Sequence, residues 1–379
     1  MANIIDYLST QFAPFEELEF GPVDSLVLSE FCMIELDDIL ADMPSIALEA
    51  SPNKKYILPW KKKDGAGLKF SDVMRAEHYH SMFRGFTTQG CKDNLIGLAA
   101  SPRFRDMTIH SYRSILDHES HIQFAATTFI YKDLFAFIGF RGTDTSIAGW
   151  REDFDMSAAF PVPAQDEALH FLKQTVARLP KKIKHIYVGG HSKGANLAVY
   201  ASIFAPPEIQ ARITRVFDHD GPGFRNGCIP AESPIIERIH KTVPHDSIVG
   251  VIMNSPSPYH AIESTEKGLM QHDPFSWVIR DNDFVYMDDI SDSCRLFGKV
   301  TQHIVQHENP QELQALVDLL FNVLDAAGVD MIPEITSDWK KTIPLMVQAA
   351  SSTDKEERDT AIHAVKFLTD AFLAEMRTK

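Results

Sequence analysis

The sequence predicts an α/β fold with a parallel sheet, and three features of its central region predict it. The segment from Asp166 to Leu179 has apolar residues at helical spacing. A short β-rich run, Ile186 to Val188, comes next, followed by helix-compatible residues from Ala195 to Ala201. Another β-rich run lies at Ile213 to Phe217. Strands that alternate with helices in this way pair in parallel, because each helix returns the chain to the edge where the previous strand began.

The turn between the first of these strands and the next helix reads Gly190-His191-Ser192-Lys193-Gly194. This G-x-S-x-G in a strand-to-helix context predicts a nucleophile elbow, in which a sharp bend lifts the serine hydroxyl clear of the sheet. The glycines remove Cβ atoms that would collide at such a bend, and the helix dipole points its positive end at the serine. Ser192 is the predicted nucleophile. The alternative is an ordinary glycine-rich turn, which the flanking patterns disfavour.

The rest of the chain divides around this centre. Residues 1–122 are predicted to be a region of helices and loops that packs on the core, and whether it also covers the site is left open. Residues 123–300 are the α/β core, which opens with two β-rich runs, Ala125 to Tyr131 and Leu134 to Phe140. Residues 301–379 are a C-terminal helical appendage with amphipathic stripes, which are predicted to pack on the core or on each other. Homo-oligomer contacts through these helices stay open as the alternative.

Composition narrows the class of protein. The 379 residues are 44% hydrophobic, enough for one large domain with extensions. A formal net charge of −15 argues against nucleic acid as a partner, because phosphates require a basic face. No basic leader and no apolar run of about 20 residues is present, which predicts a cytoplasmic protein without a transmembrane segment. The chain has four cysteines, Cys32, Cys91, Cys228 and Cys294, and their spacing is not typical of a metal site or of disulfides. They are predicted to be reduced thiols, as expected in the cytoplasm.

The second β-rich run of the core ends in Arg141-Gly142-Thr143. Acyl transfer needs donors aimed at the oxyanion of the tetrahedral intermediate, and removing one can cost about 3 kcal/mol. In α/β-hydrolases one donor is the N–H after the nucleophile, here Lys193, and the other comes from the loop after an earlier strand. Thr143 is the predicted second donor. The alternative is a plain strand exit with a stabilising arginine.

A serine hydroxyl also needs a histidine to take its proton and an acid to orient that histidine, and in this fold they follow the serine in the order acid, histidine. The acid candidates at predicted strand ends are Asp218, Asp220 and Asp246. The acid usually arrives one strand beyond the neighbour of the nucleophile strand, which favours Asp246. Turn formation is the alternative role for each of them.

Two histidines are candidates for the base, His260 and His272. His272 directly precedes Asp273-Pro274 and a strand-like run, Phe275 to Val278. His245 is adjacent to the favoured acid and would have difficulty folding back onto it. His303 and His307 have the spacing of metal ligands on one helical face, but no third ligand accompanies them, so they are predicted to be surface or packing residues.

Together these motifs resemble the class 3 (fungal-type) lipases, and residues 1 to 300 are similar to uncharacterised bacterial proteins related to them. The resemblance implies Thr143 as oxyanion donor and Ser192 as nucleophile. It implies Asp246 as the acid, in a segment similar to the Asp-x-Val of those lipases, and His272 as the base, with His260 in reserve. Two departures from those lipases are a short segment between Thr143 and Asp166 without a clear lid helix, and the lack of a secretion signal and disulfides.

The predicted protein is therefore an α/β-hydrolase, lipase-like, that acts as a serine esterase on a small-molecule or lipid-derived acyl ester. Ser192, His272 and Asp246 would form the triad, with Thr143 and Lys193 at the oxyanion. No metal or organic cofactor is implied. Two other functions stay open, a catalytically silent binding protein and an acyltransferase that uses the same triad.

Overall fold

The structure is a computed structural model that describes residues 1–41, 48–51, 54–57, 67–83, 87–117, 122–143 and 155–307. The predicted C-terminal appendage from residue 308 onward lies outside the described residues. The helices within these ranges are α1 Ile4–Thr10, α2 Pro22–Phe31, α3 Asp37–Ala41, α4 Tyr79–Met82, α5 Thr88–Ala100, α6 Pro163–Arg178, α7 Lys193–Phe204, α8 Pro207–Gln210 and α9 Asp292–His307.

The described strands form one large sheet, in which they follow each other in chain order, and a separate short pair. The large sheet contains β1 Leu48–Ser51, β2 Lys54–Ile57, β3 Thr108–Asp117, β4 Ile122–Tyr131, β5 Phe135–Phe140, β6 His185–His191, β7 Ile213–His219, β8 Ile239–Pro244 and β9 Tyr259–Ile262. The pair is β10 Ile279–Arg280 and β11 Asp283–Phe284.

Pairing divides the large sheet into two halves. Strands β1 to β5 pair antiparallel, and strands β5 to β9 pair parallel. The parallel half contains the alternating strands and helices that the sequence predicts, so the α/β class is confirmed there. The antiparallel half ends with the tight β4–β5 hairpin, which turns at Lys132 with a positive φ of 47°.

Two apolar layers cover the two faces of the sheet. On one face, α1, α2 and α5 pack over a cluster that includes Phe129, Phe137 and Phe217. On the other, α6 and α7 pack over a second cluster that includes Ile138, Val188 and Val216. The alternation of side chains along β5, Phe137 to one face and Ile138 to the other, follows from the two-residue period of a strand.

Strand β3 is the main departure from the predicted organisation, because residues 68–122 were expected to be mostly helix and loop. A β-bulge between Ile109 and Ser111 breaks its alternation. Ile109 and Tyr112, three positions apart, therefore reach the same core, whereas Ile115 reaches the opposite one. An extra residue in one strand shifts the following side chains to the other face, so the period that identifies a strand is lost at this point of the sequence.

Helix α2 is buried on every side. All residues from Val23 to Phe31 are less than 9% exposed, including Asp24, Ser25, Ser29 and Glu30. Buried polar side chains need hydrogen-bond or ionic partners. The partners of Ser25 and Glu30 lie at the site described next.

Candidate active site

Ser192 is at the bend between β6 and α7 and adopts a backbone conformation that L-residues rarely hold, with φ 58° and ψ −131°. Its N–H donates to the carbonyl of His219 at 3.0 Å, which ties the bend to the neighbouring strand. A Cβ on Gly190 would overlap the main chain of Gly194, and a Cβ on Gly194 would overlap the carbonyl of Phe140. Both glycines are thus required sterically, as the elbow motif predicts.

The predicted oxyanion loop lies against this bend. A Cβ on Gly142 would be 2.8 Å from the carbonyl oxygen of His191 and 3.4 Å from Cβ of Ser192. The segment that carries Thr143 therefore leaves β5 directly beside the serine, while residues 144–154 lie outside the described residues. Thr143 itself is half-buried.

Lys193, the residue after the serine, buries its side chain beneath the same loop. Its Nζ donates to the main-chain oxygen of Gln123 at 2.9 Å and to Oε1 of Gln123 at 2.6 Å. Nε2 of Gln123 then donates to the carbonyl of Gly142 at 3.5 Å. The side chain of Lys193 is thus linked through Gln123 to the loop of Thr143, whereas its N–H is the first of helix α7.

The predicted base, His272, meets an aspartate that follows the strand next to that of the serine. Nδ1 of His272 is 2.7 Å from Oδ2 of Asp220, and the ring is 23% exposed while the carboxylate is fully buried. The sheet register explains why Asp220 is there: His191 pairs with His219, so Ser192 and Asp220 leave the sheet side by side. Asp220 turns immediately, with φ 53°.

The structure pairs His272 with an aspartate other than the predicted one. The partner of His272 is Asp220, whereas Asp246 follows β8, one strand further from the serine. The main-chain N–H of Asp246 donates to Oε1 of Gln271 at 2.7 Å, and its side chain is half-buried. The prediction placed the acid one strand beyond the neighbour of β6, whereas in the structure the end of β7 already reaches the histidine.

Besides His272, two neighbours hold the carboxylate of Asp220, and an ion pair of Asp218 supports the turn below it. Oγ of Ser247 donates to the same Oδ2 at 2.5 Å. The other oxygen, Oδ1, is pressed against Gly250, where a Cβ would overlap it, and it has no hydrogen-bond partner among the described residues. Below the turn, Lys241 forms a buried ion pair with Asp218 at 2.9 Å and donates to the carbonyl of Gly221. The Asp218 carboxylate also accepts from the N–H of Gly221 at 2.9 Å.

The loop that carries His272 is fixed from below. Nε2 of His191 lies 3.0 Å from the carbonyl oxygen of His272, and the two rings have centroids 4.6 Å apart. The fully buried indole of Trp277 donates to the carbonyl of Gln271 at 2.8 Å and meets His191 edge-on. The expected strand at Phe275 to Val278 is instead a 3-10 helix, Pro274–Ser276, that leads into Trp277.

The other candidate histidines lie elsewhere. His260 is exposed on β9 and stacks on His240 with centroids 4.7 Å apart. His245 directs Nδ1 to the carbonyl oxygen of Asp289 at 2.8 Å. His303 and His307 are on α9, which packs near Val249–Val251. The structure therefore brings His272, not His260, to the elbow and its neighbouring aspartate.

Helix α2 supplies two polar side chains to the underside of the site, and sequence reasoning missed both. Oγ of Ser25 is 3.0 Å from Nε2 of His219, whose Nδ1 lies 3.0 Å from Oγ1 of Thr242. A carboxylate oxygen of Glu30 is 3.1 Å from Nδ1 of His191. The available signal was a set of polar residues within a helix otherwise made of core-forming side chains.

Burial and charge shift the pKa values of His219 and His191 in opposite directions. Burial holds the pKa of His219 well below its ordinary value, and the nearby His240 and His191 act in the same direction. For His191, burial also opposes protonation, but the carboxylate of Glu30 outweighs it and raises the pKa. The site thus combines a neutral histidine with one that favours the charged form.

Among the described residues, no cluster of three or more histidine, cysteine or acidic side chains could hold a metal ion. None of the helices in the same part of the chain has the length and apolarity that crossing a bilayer requires.

Comparison with known proteins gives one family and two distant structural likenesses. A family model described as Mbeg1-like matches residues 98–322, more than half of the chain. The fold is similar to that in the Rhizomucor miehei lipase propeptide complex, with 13% identity, a TM-score of 0.34 and coverage of 52% of this chain and 70% of that one. It is also similar to M37 lipase, with 14% identity, a TM-score of 0.30 and coverage of 44% and 64%. This chain thus spans less than two thirds of M37 lipase, and no curated protein matches it.

Proposed function

The chain belongs to the Mbeg1-like family, and we propose that it is a serine hydrolase of the α/β-hydrolase type that cleaves acyl esters. The observation that carries the proposal is the 2.7 Å contact between His272 and the buried Asp220, beside a serine held at φ 58° on a strand-to-helix bend. A nucleophile and a buried acid that leave adjacent strand ends, with a histidine paired to the acid, are the constellation of serine hydrolases.

In the proposed reaction, Nε2 of His272 removes the proton of Ser192 as the hydroxyl attacks the acyl carbonyl. Asp220 accepts the N–H of Nδ1, so it fixes the tautomer that leaves Nε2 free as a base. The tetrahedral intermediate collapses when His272 returns the proton to the leaving alcohol, and an acyl-enzyme remains. Water, activated by the same histidine, then releases the acid and regenerates Ser192.

The negative oxygen of the intermediate would be stabilised by the N–H groups of Lys193 and Thr143. Two observations support this assignment: Lys193 begins helix α7, and Gly142 lies in contact distance of the serine. The link from Nζ of Lys193 through Gln123 to the carbonyl of Gly142 would fix the distance between the two donors. Such preorganised donors stabilise a developing oxyanion without rearrangement during the reaction.

We propose a small-molecule or lipid-derived acyl ester as the substrate. The motif resemblance to lipases supports an acyl group, and the formal net charge of −15 disfavours strongly anionic polymers. The reacting groups are side chains of this chain alone, so the proposal requires no metal or organic cofactor.

Covalent labelling with a fluorophosphonate, with the adduct located by mass spectrometry, tests the proposal. The wild-type protein should be labelled on Ser192, and Ser192→Ala and His272→Ala should not react. Asp220→Asn should slow labelling by about a hundredfold or more, because the wrong histidine tautomer is favoured. Asp246→Asn is the matched control and should stay within about threefold of the wild type.

Three outcomes would contradict parts of this assignment. A folded wild-type protein that does not react would favour a binding protein over an enzyme. A strong effect of Asp246→Asn together with a weak effect of Asp220→Asn would return the acid to the predicted position. A labelled protein that transfers its acyl group to an added alcohol faster than to water would identify an acyltransferase.

A further inference from the structure

The ring of His191 lies between a carboxylate of the N-terminal region and the main chain of the proposed base. Nδ1 is 3.1 Å from Oε1 of Glu30, and Nε2 is 3.0 Å from the carbonyl oxygen of His272. Glu30 is 2% exposed and His191 is 9% exposed, measured on their side chains. Both contacts are therefore shielded from water. Electrostatic interactions are stronger in this low-dielectric interior than in water.

The partners of the two ring nitrogens determine the charge of this ring. A carbonyl oxygen can only accept a hydrogen bond, so Nε2 must carry a proton. Nδ1 forms an ion-pair contact with Oε1 of Glu30 at 3.1 Å without hydrogen-bond geometry, and a buried carboxylate this close favours the protonated ring, so that nitrogen favours a proton as well. Only the imidazolium form has N–H groups on both nitrogens.

The charged groups around His191 favour the same form. Glu30 of α2 lies on one side, Asp220 follows β7, and Asp273 follows the base. Burial opposes protonation, but the attraction of these three carboxylates, largest for Glu30, raises the pKa of His191. Two histidines are also near this ring: His219, whose pKa burial depresses, and His272, with its ring centroid 4.6 Å away.

We propose that Glu30 and His191 are positioning residues, and that Glu30 keeps His191 as an imidazolium whose N–H holds the carbonyl of His272. The inference rests on the proposed function, in which His272 is the base. The hydrogen bond is charge-assisted and so is stronger than one from a neutral ring. It ties the residue directly before the nucleophile to the residue that activates it, across 81 positions of sequence.

The first test measures the charge of His191 without any catalysis. In protein labelled with ¹⁵N-histidine, the ring of His191 is assigned by its loss in the spectrum of His191→Gln. The expected spectrum has two protonated ring nitrogens at pH 8, and Glu30→Gln should lose one of these protons by that pH. A ring that is neutral at pH 8 in the wild-type protein would overturn the proposal. Because the wild-type spectrum decides, the test stands even if Glu30→Gln does not fold.

The second test compares rates of fluorophosphonate labelling of Ser192. In Glu30→Gln the ratio to the wild-type rate should fall as the pH rises, to about tenfold lower at pH 8.5 than at pH 5.5, because His191 loses its proton more easily without the carboxylate. Because the two rates are measured at the same pH, any pH dependence that the two proteins share drops out of this ratio. A purely structural role of Glu30 would lower the rate equally at both pH values, and that result would contradict the inference.

Two comparisons make the second test specific. Glu30→Asp keeps the charge and should recover most of the rate at pH 8.5. Glu16→Gln removes an exposed carboxylate paired with Lys132 and should match the wild type at both pH values. Absence of labelling in the wild-type protein would refute the proposed function, whereas a labelled wild type with a pH-independent ratio in Glu30→Gln would refute only the positioning role.

Discussion

At the scale of single residues, Asp220 shows how a carboxylate is held for work with a histidine. One oxygen accepts from His272 and Ser247, and the other is confined by Gly250 without a hydrogen-bond partner among the described residues. An unsatisfied buried oxygen is costly, and such groups are often found at functional sites. These contacts hold the carboxylate of Asp220 in one orientation, in which Oδ2 faces His272.

Gly250→Ala tests the confinement of Asp220. The new methyl group would overlap Oδ1, so we expect the carboxylate to be displaced and the rate of Ser192 labelling to fall about tenfold or more. Circular dichroism should show a folded protein. The matched control is Gly21→Ala, where the nearest atom to a Cβ would be 3.9 Å away, and its labelling rate should be unchanged.

Ser247→Ala tests the second donor to the acid. Loss of one hydrogen bond to a buried carboxylate costs about 1–3 kcal/mol, and we expect about a tenfold lower labelling rate with His272 still paired. Ser257→Ala, another buried serine, serves as the control and should have little effect on the rate. Equal rates for Ser247→Ala and the wild type would show that Asp220 needs no support from the loop after β8.

At the scale of elements, α2 is anchored by one guanidinium. Arg103 is fully buried and donates to both oxygens of Asp24 at 2.7–2.8 Å, and to three main-chain carbonyls of the segment that precedes α2. Cζ of Arg103 also lies 3.9 Å from the centroid of the Phe15 ring. A helix buried on every side can thus carry an acidic residue at its first turn.

Arg103→Met should destabilise the protein strongly. It leaves the carboxylate of Asp24 buried without its cationic partner, which typically costs 3–5 kcal/mol. Urea unfolding followed by circular dichroism measures the change. Lys132→Met, which breaks the exposed ion pair with Glu16, is the control and should leave the midpoint nearly unchanged. Similar losses in the two variants would contradict the anchoring role of Arg103.

Elements with a clear local pattern could be predicted from the sequence, and an element whose pattern changes partway could not. Helix α6 and strands β5 to β8 lie where the patterns placed them, because the helix repeats its apolar residues at helical spacing and the strands are short β-rich runs. Strand β3 was missed because its bulge changes face in the middle. The elbow was found because glycine is required there, whereas the choice between Asp220 and Asp246 depended on sheet register, which a single sequence does not specify.

At the scale of the whole molecule, buried histidines link folding to pH. Burial, with His260 and Arg215 nearby, lowers the pKa of His240 from 6.5 to about 4, and His219 is shifted in the same direction. Between these values the unfolded chain binds more protons than the folded one. Stability therefore falls as the pH falls through this window, by roughly 1.4 kcal/mol per unit for each such group.

His240→Gln should reduce this dependence. Between pH 7 and pH 5 the wild-type protein should lose about 2 kcal/mol of unfolding free energy through His240, and the variant should lose that much less. Urea unfolding at the two pH values measures the difference. His185→Gln, at an exposed position, is the control, and a pH dependence of unfolding that His240→Gln leaves unaltered would contradict the assignment.

The buried position of α2 has a practical consequence for defining the working unit of this chain. The family match begins at residue 98, after both Ser25 and Glu30. Ser25 contacts His219, whose carbonyl accepts from the N–H of Ser192, and Glu30 contacts His191, the residue before Ser192. A fragment cut to the matched segment would expose one face of the sheet and lose both contacts. The shortest version worth expressing therefore begins before Pro22. A chimaera that received the matched segment alone would contain Ser192 without helix α2, which packs beneath it.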